Sequence, residues 1–180
     1  LLMIKPEGLI SVPRIFERVY GRIKENLANS SFLARYLFSL AVDTGWNRFE
    51  YLHQRRAWSP MFLLWPILKR VVADKILARL GGNLKVAISG GAALSPEISR
   101  VFVGLGVPLY QGYGLTETSP VVSVNTLEDN FPSSIGRPLE GVEVKIGDSD
   151  ELMVKSDSVM MGYWHDAEAT KRVLGEDGWF

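Results

Sequence analysis

The stretch Gly112-Tyr113-Gly114-Leu115-Thr116-Glu117 brings a flat aromatic face, a hydroxyl and a carboxylate together between closely spaced glycines. Glycine has no side chain and tolerates positive φ, so a chain of this kind lets a bound group lie close to the backbone. Tyr113 can stack a base, Thr116 can touch a phosphate, and Glu117 can hold a divalent cation through oxygen. A hard cation such as magnesium is commonly held by one or two carboxylates together with nucleotide phosphates. On residue types alone a plainer reading stands level with this one, in which Tyr113 is a core aromatic and Thr116 with Glu117 caps a helix. A second glycine-rich run, Ser89-Gly90-Gly91-Ala92-Ala93-Leu94, lies some twenty residues upstream.

Other chemistries find little support. The chain has no cysteine, which excludes a disulfide framework and a zinc–thiolate site and fits a reducing, cytoplasmic setting. The two histidines, His53 and His165, stand far apart in sequence, which argues against a histidine metal cluster or a serine-type triad. His53, in His53-Gln54-Arg55-Arg56, reads as part of a solvated polar stretch rather than as a base, and His165 as a surface or capping residue. Trp46, Trp58 and Trp65 read as core residues before the lining of a ligand cavity.

Three zones must position these residues. The first, 1–83, is mainly helical. Ser11-Val12-Pro13 is a helix start, since proline is tolerated in a first turn where its missing N–H has no partner anyway. Phe16, Val19, Tyr20, Ile23 and Leu27 then recur at three- and four-residue steps as one apolar face. Further helical patterns cover 32–42 and about 67–80. Neither can span a bilayer: the first carries Arg35 and is about half the length a span needs, and Met61–Leu80 contains Pro66 and five charges.

The second zone, 84–130, alternates strand and helix. Leu84–Ile88 has the short apolar run of a buried parallel strand and leads into the Gly90-Gly91 loop. Ser95 can cap a helix with Pro96 at its first position, burying Ile98, Val101, Phe102 and Leu105 and ending at Gly104 or Gly106. Val107–Tyr110 predicts the next strand, followed by Gly112–Glu117 as a loop. Such a strand–helix–strand unit is right-handed and sets both loops at the carboxyl ends of parallel strands, where open α/β sheets bind ligands. The third zone, 131–180, is β-rich. Val142, Val144 and Ile146 alternate as in a half-buried antiparallel strand, and Leu152 and Val154 repeat the pattern after a turn at 147–150. Asp166 can cap a helix over about 167–174, Glu176-Asp177-Gly178 is a turn, and Trp179-Phe180 begins a strand.

The charge balance of zero conceals an asymmetry, because residues 1–80 carry 13 Lys+Arg against 6 Asp+Glu and residues 81–180 carry 7 against 14. Two complementary faces of one fold account for this. The sharper alternative is a basic surface that meets anionic lipid head groups or a phosphorylated substrate, the former as a peripheral contact through the basic, apolar helices of the first zone.

Taken together the motifs carry a resemblance. Tyr110-Gln111-Gly112-Tyr113-Gly114-Leu115-Thr116-Glu117-Thr118 closely resembles the signature loop of the acyl-adenylate-forming (AMP-binding) superfamily, and Ser89–Leu94 resembles its adenine-contacting loop. Ile135-Gly136-Arg137-Pro138, Glu151-Leu152-Met153-Val154-Lys155 and Gly162-Tyr163-Trp164 follow in the order of that superfamily's later motifs. Ser11–Tyr20 is similar to the long-chain fatty acyl-CoA synthetase branch in particular.

The resemblance implies an α/β fold: a parallel strand–helix–strand segment of the large N-terminal domain, preceded by helices and followed by a small antiparallel, barrel-like part. It implies an ATP-dependent ligase that joins a fatty acid to CoA through an acyl-adenylate, with ATP, fatty acid and CoA as substrates, Mg²⁺ as cofactor and no nucleic-acid partner. By resemblance, Gly90, Gly91 and Ala92 line one side of the adenine, Tyr113 covers its other face, and Gln111 and Gly112 lie at its edge. Thr116 bonds the α-phosphate, Glu117 coordinates Mg²⁺, and Gly114 lets the backbone pass near the acyl carbonyl, beside a tunnel for the acyl chain. Other adenylate-forming activities, on aryl or amino acids, and a non-catalytic nucleotide-binding module are the alternatives.

The superfamily's phosphate loop, its ribose-binding aspartate and its C-terminal domain with the adenylation lysine do not occur in these residues. The expectation is therefore an internal segment, inactive by itself, and no oligomeric state is signalled. Asp150 departs from a usual glycine before Glu151-Leu152, and Ser156 from another after the strand, which bears on the hairpin rather than on the nucleotide loop.

Overall fold

The computed structural model describes residues 3–78 and 80–180; Leu1, Leu2 and Arg79 lie outside them. A five-stranded sheet runs in the order β1 (Gly8–Ser11), β2 (Val86–Ser89), β3 (Leu109–Gly114), β4 (Val121–Val124) and β5 (Arg137–Pro138). The first three strands are parallel, with Ser11 opposite Ser89 and Ser89 opposite Gln111; β4 and β5 add antiparallel. The α/β class read from the sequence is the one observed.

Helix α1 (Pro13–Ala28) starts where Ser11-Val12-Pro13 announces it, with Val12 extended at the cap. Phe16 and Ile23 are its buried residues among the five of the apolar stripe. Helix α2 (Phe32–Leu52) is capped by Ser31, whose hydroxyl accepts from the Ala34 N–H, and runs ten residues past the expected 32–42. Its second half lacks a continuous apolar run because small residues, Thr44 and Gly45, share its packed face with Trp46 and Phe49.

The helix expected over 67–80 is a chain of short turns: a 3₁₀ turn at Pro60–Leu64, α3 (Trp65–Leu68), a π turn at Lys69–Ala73 and α4 (Asp74–Ala78). The buried residues explain the irregularity. Trp65 and Leu68 are three apart, but Leu68 and Ala73 are five apart, a step that an α turn does not make and a π turn does. Helix α5 (Pro96–Gly104) buries Ile98, Val101, Phe102 and, at its C-cap, Leu105 as expected, and ends at Gly104, with Gly106 at φ 83° beyond it; Ser95 stands at the N-cap position, but its side chain accepts no helix N–H.

The main core lies between α1 and α5 and one face of the sheet, built from Phe16, Ala87, Leu94, Ile98, Phe102 and Leu109. Phe16 and Phe102 meet edge to face, 5.5 Å between centroids. A second cluster of Val42, Trp65, Ala73, Val101 and Leu105 joins α2 and the 65–73 stretch to the back of α5.

Strand β1 lies in a zone read as helical. Its four residues show no period of their own, and the strand exists because β2, some 78 residues later, pairs with it. The β-rich tail is a two-stranded hairpin, β6 (Glu143–Ile146) and β7 (Leu152–Lys155), rather than a closed barrel. Val154 is buried and exchanges backbone hydrogen bonds with Phe180 (2.7 and 2.9 Å), but no strand forms at Trp179-Phe180, where one was expected. Val144 and Ile146, expected half-buried, are 37% and 64% exposed, since no described residue covers that face of the ribbon. Asp166 caps α6 (Ala167–Val173) by accepting from the Ala169 N–H at 2.9 Å. No helix among the described residues is long and apolar enough to cross a membrane.

Candidate functional site

Strand β2 ends in the Gly90-Gly91 loop, and the Gly90 N–H donates to the Ser11 carbonyl (3.1 Å), tying that loop to β1. Strand β3 leaves β2 after Gln111 and continues beside β4 in the opposite sense. Gly112, Tyr113 and Gly114, expected in a loop, are therefore strand, with Gly112 opposite Val124 and Tyr113 opposite Ser123. The glycine at 114 answers to the protein before any ligand. A Cβ there would lie 2.7 Å from the Pro120 carbonyl carbon and 2.9 Å from the Val121 Cα, nearer still to the Pro120 oxygen.

Past Leu115 the chain makes a single 3₁₀ turn, Thr116–Thr118, and no helix follows for Thr116 or Glu117 to cap. Thr118, which sequence reasoning passed over, holds this turn. Its buried hydroxyl accepts from the Leu115 N–H (3.1 Å) and lies 2.7 Å from the Pro120 carbonyl, to which it can donate. Ser119 reverses the chain in the left-handed region at φ 54°. With the turn closed by Thr118, Thr116 is exposed and its hydroxyl has no hydrogen bond among the described residues.

Glu117 is held from two sides. Its carbonyl accepts from the Met160 N–H at 2.7 Å, and its Oε1 accepts from the Tyr163 hydroxyl at 2.8 Å. That hydrogen bond, before burial, raises the Tyr163 phenol above its usual pKa and keeps it a donor. No three His, Asp or Glu side chains are placed to share a metal ion among the described residues, so Glu117 is not part of a protein cage. One carboxylate fits a cation shared with phosphate oxygens, which is the usual setting of magnesium.

Two cavities flank the motif. One, of about 430 Å³, has Gly91, Ala92, Gln111, Tyr113, Ser134 and Ile135 on its walls. The other, of about 650 Å³ and mostly apolar, is bounded by Ile10, Val12, Ile88, Leu115, Val121 and Val124, and Gly90 opens onto it. Gly91 and Gly112–Leu115 border both, and Thr116 stands at the apolar one. The motif is thus the partition between two mostly apolar cavities, of which the smaller also has Ser133 and Ser134 on its wall. Residues Ile10 and Val12, from the zone read as helical, supply the far wall; Ile10 is 82% exposed there.

The Gln111 amide is engaged inside the protein. Its Oε1 accepts from the Leu94 N–H (3.0 Å) and its Nε2 donates to the Pro132 carbonyl, so it braces the cavity wall. Asn125 fastens the same wall: its Nδ2 donates to the Ser134 carbonyl (2.8 Å) and its Oδ1 accepts from the Phe131 N–H (2.8 Å). Nothing in the local sequence around Asn125 marks it; only the crossing of 131–135 over β4 does.

Neither histidine bonds to the motif. His53 closes α2 half-buried, Nδ1 2.9 Å from the Phe49 carbonyl and its ring against that of Phe49, and so is not the solvated residue expected. His165 is exposed beside Trp164. Of the three tryptophans, Trp65 is core and Trp46 packs against the core, but Trp58 is exposed.

The chain matches the profile of the family described as AMP-binding enzyme over residues 2–164. It is 34% identical, over the whole of its 180 residues and 30% of the other protein, to the long-chain-fatty-acid–CoA ligase FadD15 of Mycobacterium bovis. It is 32% identical to the chloroplastic long-chain-fatty-acid–[acyl-carrier-protein] ligase AEE15 of Arabidopsis thaliana, across 98% of this chain and 29% of that one. Among solved structures, apo MatB from Rhodopseudomonas palustris shares the fold with a TM-score of 0.59 at 22% identity, covering 99% of this chain and 28% of MatB. The chain spans about 30% of the length of the curated relatives it matches.

Proposed function

The chain belongs to the AMP-binding enzyme family, and from that premise we propose that it supplies one side of the adenylation site of a long-chain fatty acid–CoA ligase. The observation that carries the proposal is the partition: one segment, Gly112–Leu115, separates a cavity of about 430 Å³, which would take adenine, from a larger apolar one of about 650 Å³, and leads into Thr116 and Glu117. An alkyl chain on one side and a nucleotide on the other would bring a carboxylate and an α-phosphate together at that end.

In the reaction proposed, a carboxylate oxygen of the fatty acid attacks the α-phosphorus of ATP and pyrophosphate leaves. The sulfur of CoA then attacks the acyl carbonyl, giving up its proton, and AMP leaves. Adenine lies between Gly91-Ala92 and the Tyr113 ring, with Gln111 bracing the wall behind it. The Thr116 hydroxyl donates to an α-phosphate oxygen, favouring the charge that builds there in the transition state. Glu117 would hold Mg²⁺, which when bound neutralises phosphate charge and favours departure of pyrophosphate. No enzyme-bound acyl group is needed.

Similarity to FadD15 over the entire chain, helices included, supports the long-chain branch over aryl- or amino-acid-activating enzymes. Pyrophosphate release by the complete polypeptide that contains these residues tests this, with palmitate, benzoate and amino acids compared. Release with palmitate is expected; release only with benzoate or an amino acid overturns the substrate class, and none at all overturns adenylation. The 180 residues alone are expected to form no acyl-CoA, and turnover above a no-protein control would contradict that.

Peripheral contact with an anionic bilayer, in a reducing cytoplasmic setting, completes the proposal. Leu63, Ile67 and Val71 are exposed along a stretch that also carries Lys69, Arg70 and Lys75. The complete polypeptide should float with anionic vesicles and not with neutral ones; equal recovery from both would remove this part.

A further inference from the structure

We propose that Tyr163 is a positioning residue for Glu117, holding one carboxylate oxygen so that the other stays turned toward the bound phosphates. This rests on reading Glu117 as the magnesium carboxylate, and goes beyond it in assigning a role to a residue 46 positions downstream.

A glutamate on a one-turn 3₁₀ segment has three side-chain torsions and no packing of its own to choose among them. The Tyr163 hydroxyl supplies the choice, donating to Oε1 at 2.8 Å. Among the described residues Oε2 accepts no hydrogen bond, which leaves one oxygen held and one open. The backbone is held as well, by the Met160 N–H on the Glu117 carbonyl at 2.7 Å, so residues 160–163 grip both the main chain and the side chain of Glu117.

Tyr163 is itself aimed by a bracket at the start of α6. Its N–H donates to Thr170 Oγ1 (2.9 Å), the Thr170 hydroxyl donates to the Asp166 carbonyl (2.8 Å), and the Asp166 carboxylate caps the helix. Gly162 lets the chain come this close, since a Cβ there would lie 2.9 Å from Thr170 Cγ2. An aimed donor on a carboxylate is the usual way in which a residue outside the coordination sphere orients a metal ligand. Tyr163 is itself 38% exposed, so core packing alone does not account for such a bracket.

The test uses the complete polypeptide with ATP and Mn²⁺ as the probe, followed by the electron paramagnetic resonance of free Mn²⁺ in the absence of any fatty acid. Tyr163→Phe should weaken Mn²⁺ binding to the ATP complex by about tenfold, leave ATP binding in EDTA unchanged, and raise the magnesium KM more than it lowers kcat. Thr170→Val, which removes the bracket and not the phenol, should weaken Mn²⁺ in the same direction but less. In a Glu117→Gln background Tyr163→Phe should add nothing, because its effect passes through Glu117. Unchanged Mn²⁺ binding in Tyr163→Phe, or an equal loss in both backgrounds, overturns the positioning role. A Glu117→Gln protein that binds Mn²⁺ as tightly as the wild type overturns the metal reading itself, which is a separate failure. Were Tyr163→Phe to lower the unfolding temperature substantially, Thr170→Val and the double variant would still decide.

Discussion

Helices α2 and α5 cross at two glycines, and the same substitution made there and elsewhere should act with opposite sign. A Cβ built on Gly45 would lie 2.5 and 2.7 Å from two ring carbons of Trp65, and closer still to the Gly104 carbonyl oxygen. Ordinary carbon contacts begin near about 3.5 Å, so α2 or the indole would have to retreat by about 1 Å. Trp65 is buried against Val42 and Leu105, which leaves it no free direction. Overpacking of this kind costs about 1–3 kcal/mol and occasionally more, and here a backbone and a fixed ring are met together, so about 3 kcal/mol is expected. Alanine regains about 1 kcal/mol of helix propensity over glycine, leaving Gly45→Ala about 2 kcal/mol less stable. Gly21, in α1, has nothing within 4 Å of the Cβ position. Gly21→Ala should therefore show the propensity alone, about 1 kcal/mol of added stability. In thermal unfolding followed by circular dichroism, about 2–4 °C accompanies each kcal/mol for a chain of this size. The two variants should thus melt about 4–8 °C below and about 2–4 °C above the wild type. A Gly45→Ala protein as stable as the wild type would refute the close crossing of α2 and α5.

Gln111→Leu should cost about 2–5 kcal/mol in urea unfolding, because it orphans the buried Leu94 N–H and Pro132 carbonyl at once; a loss below about 0.5 kcal/mol would show that neither bond matters. Asp150→Gly should stabilise the β6–β7 turn by about 0.5 kcal/mol, since Asp150 holds φ 62° and its neighbour Ser149 φ 59°; slower hydrogen exchange across the hairpin is the check. Glu97 accepts from the Tyr20 hydroxyl (2.6 Å) and pairs with Lys24 (3.3 Å), which hold its carboxyl below the usual range, the tyrosine first. A depressed carboxyl stabilises the fold above its unfolded-state pKa, and that share is lost as the pH falls through the folded one. Glu97→Gln should flatten this part of the acid limb, and an unchanged acid limb would remove the tie from α1 to α5.

Much of the scaffold is written locally. Pro13 and Pro96 in a first turn and the Asp166 cap mark helix starts because proline geometry and capping act over three or four residues. The run at 84–88 and the order of the five motifs carried the α/β class and the family. The Gly112–Glu117 stretch could be singled out in the sequence, where its residue types allowed a base, a phosphate and a cation as partners and, equally, a core aromatic with a helix cap.

What the stretch is physically was decided elsewhere. Gly112–Gly114 is a strand because β4 lies beside it, and Gly114 is glycine because the Pro120 carbonyl needs the space. Strand β1 exists through pairing with a segment far along the chain, and the steps of the 60–78 stretch are dictated by what α2 presents to it. Tyr163 reaches Glu117 only because α6 and its cap aim it there. Caps and short periods are local properties and can be read along a chain. Pairing partners, close backbone crossings and hydrogen bonds between distant side chains have no local signature, because their energy resides in contacts that form only when the tertiary fold closes.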